Sequence, residues 1–194
     1  MQLRPIATVT LAVALAGCGI NSIPTAEENA KARWADVQND YQRRADLIPN
    51  LVATVKAAGA QEKNILTEVT QARASATQVK VSGDELTDPA KVAAYERAQN
   101  AVTMNLQRLQ EAYPELKSQG NYTTLMSQLE GTENRITIAR RDYNQAVQEY
   151  NTTIRTFPAA VGARIFYGAK AMTPFTATTP GAEAAPNVNF GNAS

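Results

Sequence analysis

The sequence predicts an all-α protein, an antiparallel four-helix up-and-down bundle with long helices, from two observations. Apolar or small residues recur in steps of three and four throughout Tyr122–Phe157, which is the spacing of one helix face and does not suit a strand. A helix of this length spans roughly 54 Å at about 1.5 Å per residue, so other long helices must cover its stripe. Segments with the same periodicity do precede it. The stripe consists of Tyr122, Leu125, Leu129, Thr132, Ile136, Ala139, Tyr143, Ala146, Val147, Tyr150, Ile154 and Phe157.

The first helix is predicted to begin at a capping box, in which Thr25 and Glu28 bond each other's backbone amides. Its inner face carries Trp34, Val37, Tyr41, Ala45 and Ile48. Pro49 lacks a backbone N–H and disfavours helical geometry at the residue before it. The apolar pattern nevertheless resumes over Leu51–Ala76, so one bent helix and two separate helices both remain open. Gly59 is a second residue that disfavours a continuous helix.

The next helix is predicted to begin at Asp88-Pro89, where an N-cap aspartate precedes a proline at the first helical position. Val79–Asp88 is expected to be the loop before it. Pro114 is expected to lie one turn before its end, with Leu116 in a final distorted turn, and Gly120-Asn121 is expected to close this element and cap the long final helix. Its apolar stripe consists of Val92, Tyr95, Ala98, Val102, Leu106, Leu109 and Tyr113.

The C-terminal region is predicted to change character at Pro158, which is expected to end the long helix. Ala159–Gly168 is expected to form a short helix against the base of the bundle, through Val161, Ile165 and Phe166. Residues 169–194 are predicted to be a disordered tail, because Thr, Pro, Ala, Gly and Asn dominate there.

The N-terminal residues 1–17 have the pattern of a signal peptide, with a basic start followed by an apolar run too short to span a bilayer. The run ends in Leu15-Ala16-Gly17-Cys18, which resembles the bacterial lipobox. We therefore expect cleavage between Gly17 and Cys18, acylation of Cys18 with fatty acids such as palmitate, and a tether over residues 18–24. The residue after the cysteine is Gly19, which in bacterial lipoproteins favours location at the periplasmic face of the outer membrane. An ordinary secretory signal with an incidental cysteine is the alternative.

Composition excludes several classes of function. The formal net charge is +1, so there is no basic surplus to neutralise the phosphates of a nucleic acid. There is no histidine and a single cysteine. This excludes serine–histidine and cysteine–histidine catalysis, histidine-ligated zinc and an intramolecular disulfide. We expect no cofactor and no metal.

The candidate polar residues are Arg44, Glu130, Glu133 and Arg140. Glu130 and Glu133 lie one helical turn apart and could form an acid–base pair or a metal clasp, but a layer of ion pairs between helices is the preferred interpretation. Glu133 and Arg140 flank the inward stripe, and Arg44 is the nearest predicted partner of Glu133. The asparagines of the helices are expected to make polar contacts within or across helices; they are Asn50, Asn134, Asn144 and Asn151.

Several stretches of the chain resemble the LemA family. They cover about residues 30–168 and comprise Arg43–Val52, Glu62-Lys63, Ala72-Arg73, Glu111–Lys117, Leu129–Ile136, Arg140–Asn144, Val147, Tyr150-Asn151 and Phe157-Pro158. The resemblance implies a four-helix bundle of bromodomain-like topology, here over residues 25–168, and a location in the cell envelope. Family members usually carry an N-terminal membrane helix, which a lipid on Cys18 would replace here. The resemblance carries over no catalytic residues.

Together these observations predict a lipid-anchored envelope protein, most simply a non-enzymatic scaffold or adaptor for a membrane partner. One alternative is a sensor that binds a small ligand or peptide in a groove between helices. The other is an enzyme built on Glu130 and Glu133.

Overall fold

A computed structural model describes residues 21–59 and 63–176, and every regular element within them is helical. The four long helices are α1 (Ser22–Ala57), α2 (Lys63–Gln78), α3 (Pro89–Ala112) and α4 (Gly120–Thr153). Short 3-10 helices, Gly83–Thr87 and Pro114–Ser118, lie in the connections before α3 and α4. A short helix α5 (Ala159–Gly162) continues as a π-helical turn over Ala163–Tyr167. The predicted all-α bundle is confirmed.

Helix α1 passes through Pro49 without interruption, which settles the question that periodicity left open. Pro49 cannot donate to the carbonyl four residues before it, that of Ala45. The Nε of Arg73 on α2 donates to this carbonyl at 2.6 Å. The helix ends instead at Ala57, and Gly59 just after it adopts a positive φ of 85°, a conformation that favours glycine.

The start of α1 differs from the prediction. The helix already includes Ser22, and Ile23 is fully buried. The Thr25 hydroxyl donates to the Asn21 carbonyl at 2.9 Å inside the first turn. The capping box at Thr25 and Glu28 is therefore wrong, because burial of Ile23 extends the helix into the predicted tether.

Helix α3 begins as predicted. The Asp88 carboxylate accepts from the amides of Ala90 at 2.9 Å and Lys91 at 3.4 Å, which satisfies donors that a helix start leaves free.

Helices α1 and α4 pack antiparallel. The Trp34 and Tyr143 ring centroids lie 5.3 Å apart, and the Arg44 and Glu133 side chains are in contact in the same register. The predicted α4 stripe is buried at nine positions: Tyr122, Leu129, Thr132, Ile136, Ala139, Tyr143, Ala146, Val147 and Tyr150. The helix ends at Thr153, one turn before Phe157, which is 86% exposed.

A polar layer divides the core into two apolar halves. One half holds Tyr41, Tyr95 and Ile136, and the other holds Ile48, Val102 and Leu129. Between them on their respective helices lie buried Arg44 on α1, Gln99 on α3 and Thr132 on α4. We call these three residues, with Glu133, the polar layer.

The C-terminal predictions need two corrections. Small residues of the α5 region, Ala159 and Ala163, pack inward, whereas Val161, Ile165 and Phe166 are exposed. Residues 169–176 are not a disordered tail. They return along the bundle as a strap, with Met172 and Phe175 buried. Two apolar anchors and backbone hydrogen bonds are sufficient to order this segment, although its average composition predicts disorder. Residues 177–194 lie outside the described part of the chain.

Candidate functional site

The polar layer is centred on Arg44, which is only 2% exposed. Its Nη1 donates to Thr103 Oγ1 at 2.7 Å and to Glu133 Oε2 at 3.0 Å. Its Nη2 donates to both the backbone carbonyl and the Oε1 of Gln99, each at 2.9 Å. The guanidinium also lies 4.9 Å from the centroid of the Tyr41 ring. The site therefore surrounds one buried cation with acceptors from α3 and α4.

The structure brings Arg44 and Glu133 together, as the sequence predicted, but the two environments differ. Glu133 remains 45% exposed. It lines a groove between α1, α3 and α4, together with exposed Glu130. Glu130 therefore faces solvent and is not part of the buried layer.

Arg140 has a different partner, which sequence reasoning missed. Its Nη2 lies 3.1 Å from Glu96 Oε1, and Glu96 is buried. Glu96 also accepts from the amide of Thr176 at 3.0 Å and from its hydroxyl at 3.2 Å. The signal in the sequence is that Glu96 falls one helical turn after Val92 on the inward side of α3.

Two asparagines on one side of α4 hold the strap. Asn144 exchanges two hydrogen bonds with the backbone of Phe175, at 2.8 and 3.0 Å. Asn151 does the same with the backbone of Met172, with both bonds at 2.9 Å. Each amide side chain thus pairs with a strap residue as a neighbouring strand would. These two asparagines were expected to make polar contacts within or across helices, and the structure shows that they contact the backbone of the strap.

Aromatic rings join the strap to the bundle. Phe175 stacks on Trp34 with ring centroids 5.4 Å apart and meets Tyr143 edge-on at 5.4 Å. Arg140 lies over the outer face of Phe175, 4.6 Å from its centroid. The Trp34 Nε1 donates to the Val81 carbonyl at 2.8 Å, which ties the α2–α3 connection to the same cluster. Burial raises the pKa of the Tyr143 hydroxyl, so this side chain stays neutral.

This arrangement is suited to holding helices together. Arg44 and Glu96 direct their polar atoms at protein partners, so neither is free to contact a substrate. The groove beside Glu133 holds about 170 Å³, below the roughly 300–1,000 Å³ of small-molecule sites, whereas a groove lined by Tyr41, Thr77 and Tyr95 holds about 400 Å³. Within residues 21–59 and 63–176, no cluster of three metal-ligating side chains is found.

The predicted lipidation site, Gly17 and Cys18, lies outside the described residues, and its modification stays a prediction. No helix in the described ranges is both long enough and apolar enough to cross a bilayer.

Comparison with known proteins gives one positive finding. The family model described as LemA family matches residues 33–190 of this chain. A search of curated proteins gives no match.

Proposed function

This chain belongs to the LemA family, and from that premise we propose that it is a lipid-anchored protein of the bacterial cell envelope. We infer that it serves a membrane partner as a non-enzymatic scaffold or adaptor. One observation carries the proposal: among the described residues, the two buried charged side chains, Arg44 and Glu96, are each engaged by a charged partner on another helix. Arg44 bonds Glu133 and Arg140 bonds Glu96, an arrangement that fixes the relative positions of helices and leaves neither buried charge free for a reaction.

The lipid anchor of the proposal rests on Leu15–Cys18. Several acyl chains on one cysteine bind a bilayer stably, whereas a single chain binds only marginally. The test replaces Cys18 with serine and follows labelling with a radioactive fatty acid together with membrane fractionation. We expect Cys18→Ser to lose the label. A variant that still labels and stays with membranes would contradict the anchor.

The enzyme alternative has less support. Glu133 is engaged by Arg44, and Glu130 faces solvent, so the two carboxylates do not share one buried site. Glu130→Gln combined with Glu133→Gln would test it. Loss of a cellular phenotype with unchanged folding would favour chemistry at these residues.

The adaptor role is tested by crosslinking in native membranes, followed by purification of the full-length protein. We expect a defined protein to be crosslinked by the acylated chain and to be lost with Cys18→Ser at equal protein level. Recovery of the chain alone would argue against an adaptor. Recovery of the same protein with Cys18→Ser would mean that partner choice does not require the anchor.

A further inference from the structure

Five large apolar side chains form an exposed surface after the end of α4, which we call the apolar end patch: Phe157, Val161, Ile165, Phe166 and Tyr167. Seven large apolar side chains are exposed in the described ranges, and these five belong to one stretch of eleven residues. Scattered exposed apolar residues are ordinary, but a group of them concentrated in one short segment indicates an interaction surface. We therefore expect a binding partner to cover this patch.

The local fold turns the large residues outward. Ala159 and Ala163 are buried against the bundle, while Val161 and Ile165 of the same short helical segment are 51% and 69% exposed. The helical spacing of the two pairs separates a small-residue inner side from a large-residue outer side. A helix side that faces water is normally polar, whereas this outer side is apolar.

The patch lies at the end of the bundle where α1 begins. The antiparallel register of α1 and α4, set by Trp34 with Tyr143, places the start of α1 beside the end of α4. Ile23 and Ala159 belong to the same apolar half of the core. Cys18 precedes Ser22 by four residues, which span at most about 14 Å when fully extended. A lipid on Cys18 would hold this end of the bundle next to the bilayer.

The segment that carries the patch is basic, which suits an anionic membrane. Arg155, Arg164 and Lys170 are all exposed, and residues 150–176 contain no aspartate or glutamate. At the start of α1, Glu27, Glu28 and Asp84 share one cation, Lys31, at 2.9, 3.8 and 3.0 Å. Cations beside exposed aromatic and aliphatic side chains are typical of surfaces that bind the headgroup layer.

We propose that the apolar end patch inserts into the interfacial layer of the bilayer beside the lipid on Cys18. This inference rests on the lipid anchor of the proposed function. The lipid alone would tether the bundle, whereas lipid and patch together would fix its orientation, with the long axis of α1 and α4 directed away from the membrane. The bilayer is a better occupant than a soluble protein because the nearby chain leads to the acylated cysteine and because the segment that carries the patch is basic.

The test uses the full-length acylated protein with Phe166→Cys, labelled with a fluorophore that responds to polarity. Acylation of Cys18 occupies its thiol and leaves the new cysteine for labelling. The protein is reconstituted into vesicles of phosphatidylethanolamine and phosphatidylglycerol, with and without lipid carrying a spin label on its acyl chain. The matched control is Ile138→Cys, an exposed apolar position on α4 about 22 Å from its C-terminal end.

We expect the fluorophore at position 166 to shift to shorter wavelength and to lose most of its emission when spin-labelled lipid is present. The fluorophore at position 138 should do neither, and omitting phosphatidylglycerol should weaken the effect at position 166. Flotation of the protein with vesicles but no quenching at position 166 would overturn the patch inference alone. Failure to float would contradict the anchor of the proposed function and this placement with it. A wavelength shift that depends on protein concentration, without quenching by lipid, would assign the patch to a second copy and overturn the bilayer as occupant.

Discussion

Arg44 Nη1 lies 3.0 Å from Glu133 Oε2, and this contact joins a nearly inaccessible cation to a half-exposed carboxylate. The two partners are therefore not equivalent. Removing the carboxylate leaves a charge buried, whereas removing the guanidinium leaves a charge that water can reach. Arg44 keeps its bonds to Gln99 and Thr103 when only Glu133 is changed, which limits the loss of stability.

Glu133→Gln is expected to destabilise the protein by about 1–3 kcal/mol, below the roughly 3–5 kcal/mol for breaking a fully buried pair. Arg44→Met combined with Glu133→Leu should recover much of this loss, because packing replaces the buried charge. Chemical denaturation of the wild type and the variants measures both effects. Glu130→Gln is the matched control on the exposed side of the same helix. A silent Glu133→Gln would show that this carboxylate contributes nothing to folding and is free for a partner.

Two buried tyrosines make opposite predictions for the same substitution. The Tyr122 hydroxyl is buried without a hydrogen-bond partner in the described structure, whereas the Tyr143 hydroxyl donates to the Thr173 carbonyl at 2.9 Å. Tyr122→Phe should leave stability unchanged or raise it slightly, and Tyr143→Phe should cost about 0.5–1.5 kcal/mol. Urea denaturation compares them directly. An equal loss for both variants would contradict this assignment.

The long helices were predictable because burial in a bundle imposes a period that the sequence displays over many turns. The inward residues Ile136, Tyr143 and Tyr150 show this on α4, and the Arg44 and Glu133 pair follows from the same geometry. The strap was not predictable in this way. Met172 and Phe175 stand in a segment of low apolar content, and their docking depends on backbone groups that bond Asn144 and Asn151. Hydropathy does not register such bonds. The prediction that Ile165 packs against the bundle was wrong for a related reason. Periodicity identifies an apolar helix face but does not show what covers that face.

The Glu85 carboxylate offers a test of local electrostatics before α3. Lys91 beside it, together with the amide and hydroxyl of Ser82, holds the pKa of Glu85 at about 2, below its usual 4.5. A lowered acid pKa stabilises the fold above pH 4.5, and this contribution is lost as the pH falls toward 2. Lys91→Met should raise the pKa toward 4.5, and Ser82→Ala should raise it less because the amide remains. Carboxyl titration by NMR measures the shift, and an unchanged pKa in Lys91→Met would refute the role of Lys91.

The strap is expected to contribute substantially to stability. Ending the chain after Ala171 removes Met172 and Phe175 and exposes the Trp34 and Tyr143 rings, so the thermal midpoint should fall by many degrees. Phe175→Ala alone should cost about 3–5 kcal/mol. The control ends the chain after Thr176, which keeps every described strap contact. If the two truncations melt at the same temperature as the wild type, the strap does not support the fold.

The continuity of α1 through Pro49 gives a prediction about coupling between helices. Proline leaves the Ala45 carbonyl without its helical donor, and the Arg73 Nε supplies one from α2 at 2.6 Å. Arg73→Met should therefore destabilise the wild type by about 1–3 kcal/mol, because a helix-interior carbonyl loses a charged partner. In the Pro49→Ala background the new amide can donate to the same carbonyl, so Arg73→Met should cost less there. A double-mutant cycle measures the difference. Additive effects of the two substitutions would mean that Arg73 binds α1 independently of the proline, and that α1 tolerates Pro49 through its packing contacts.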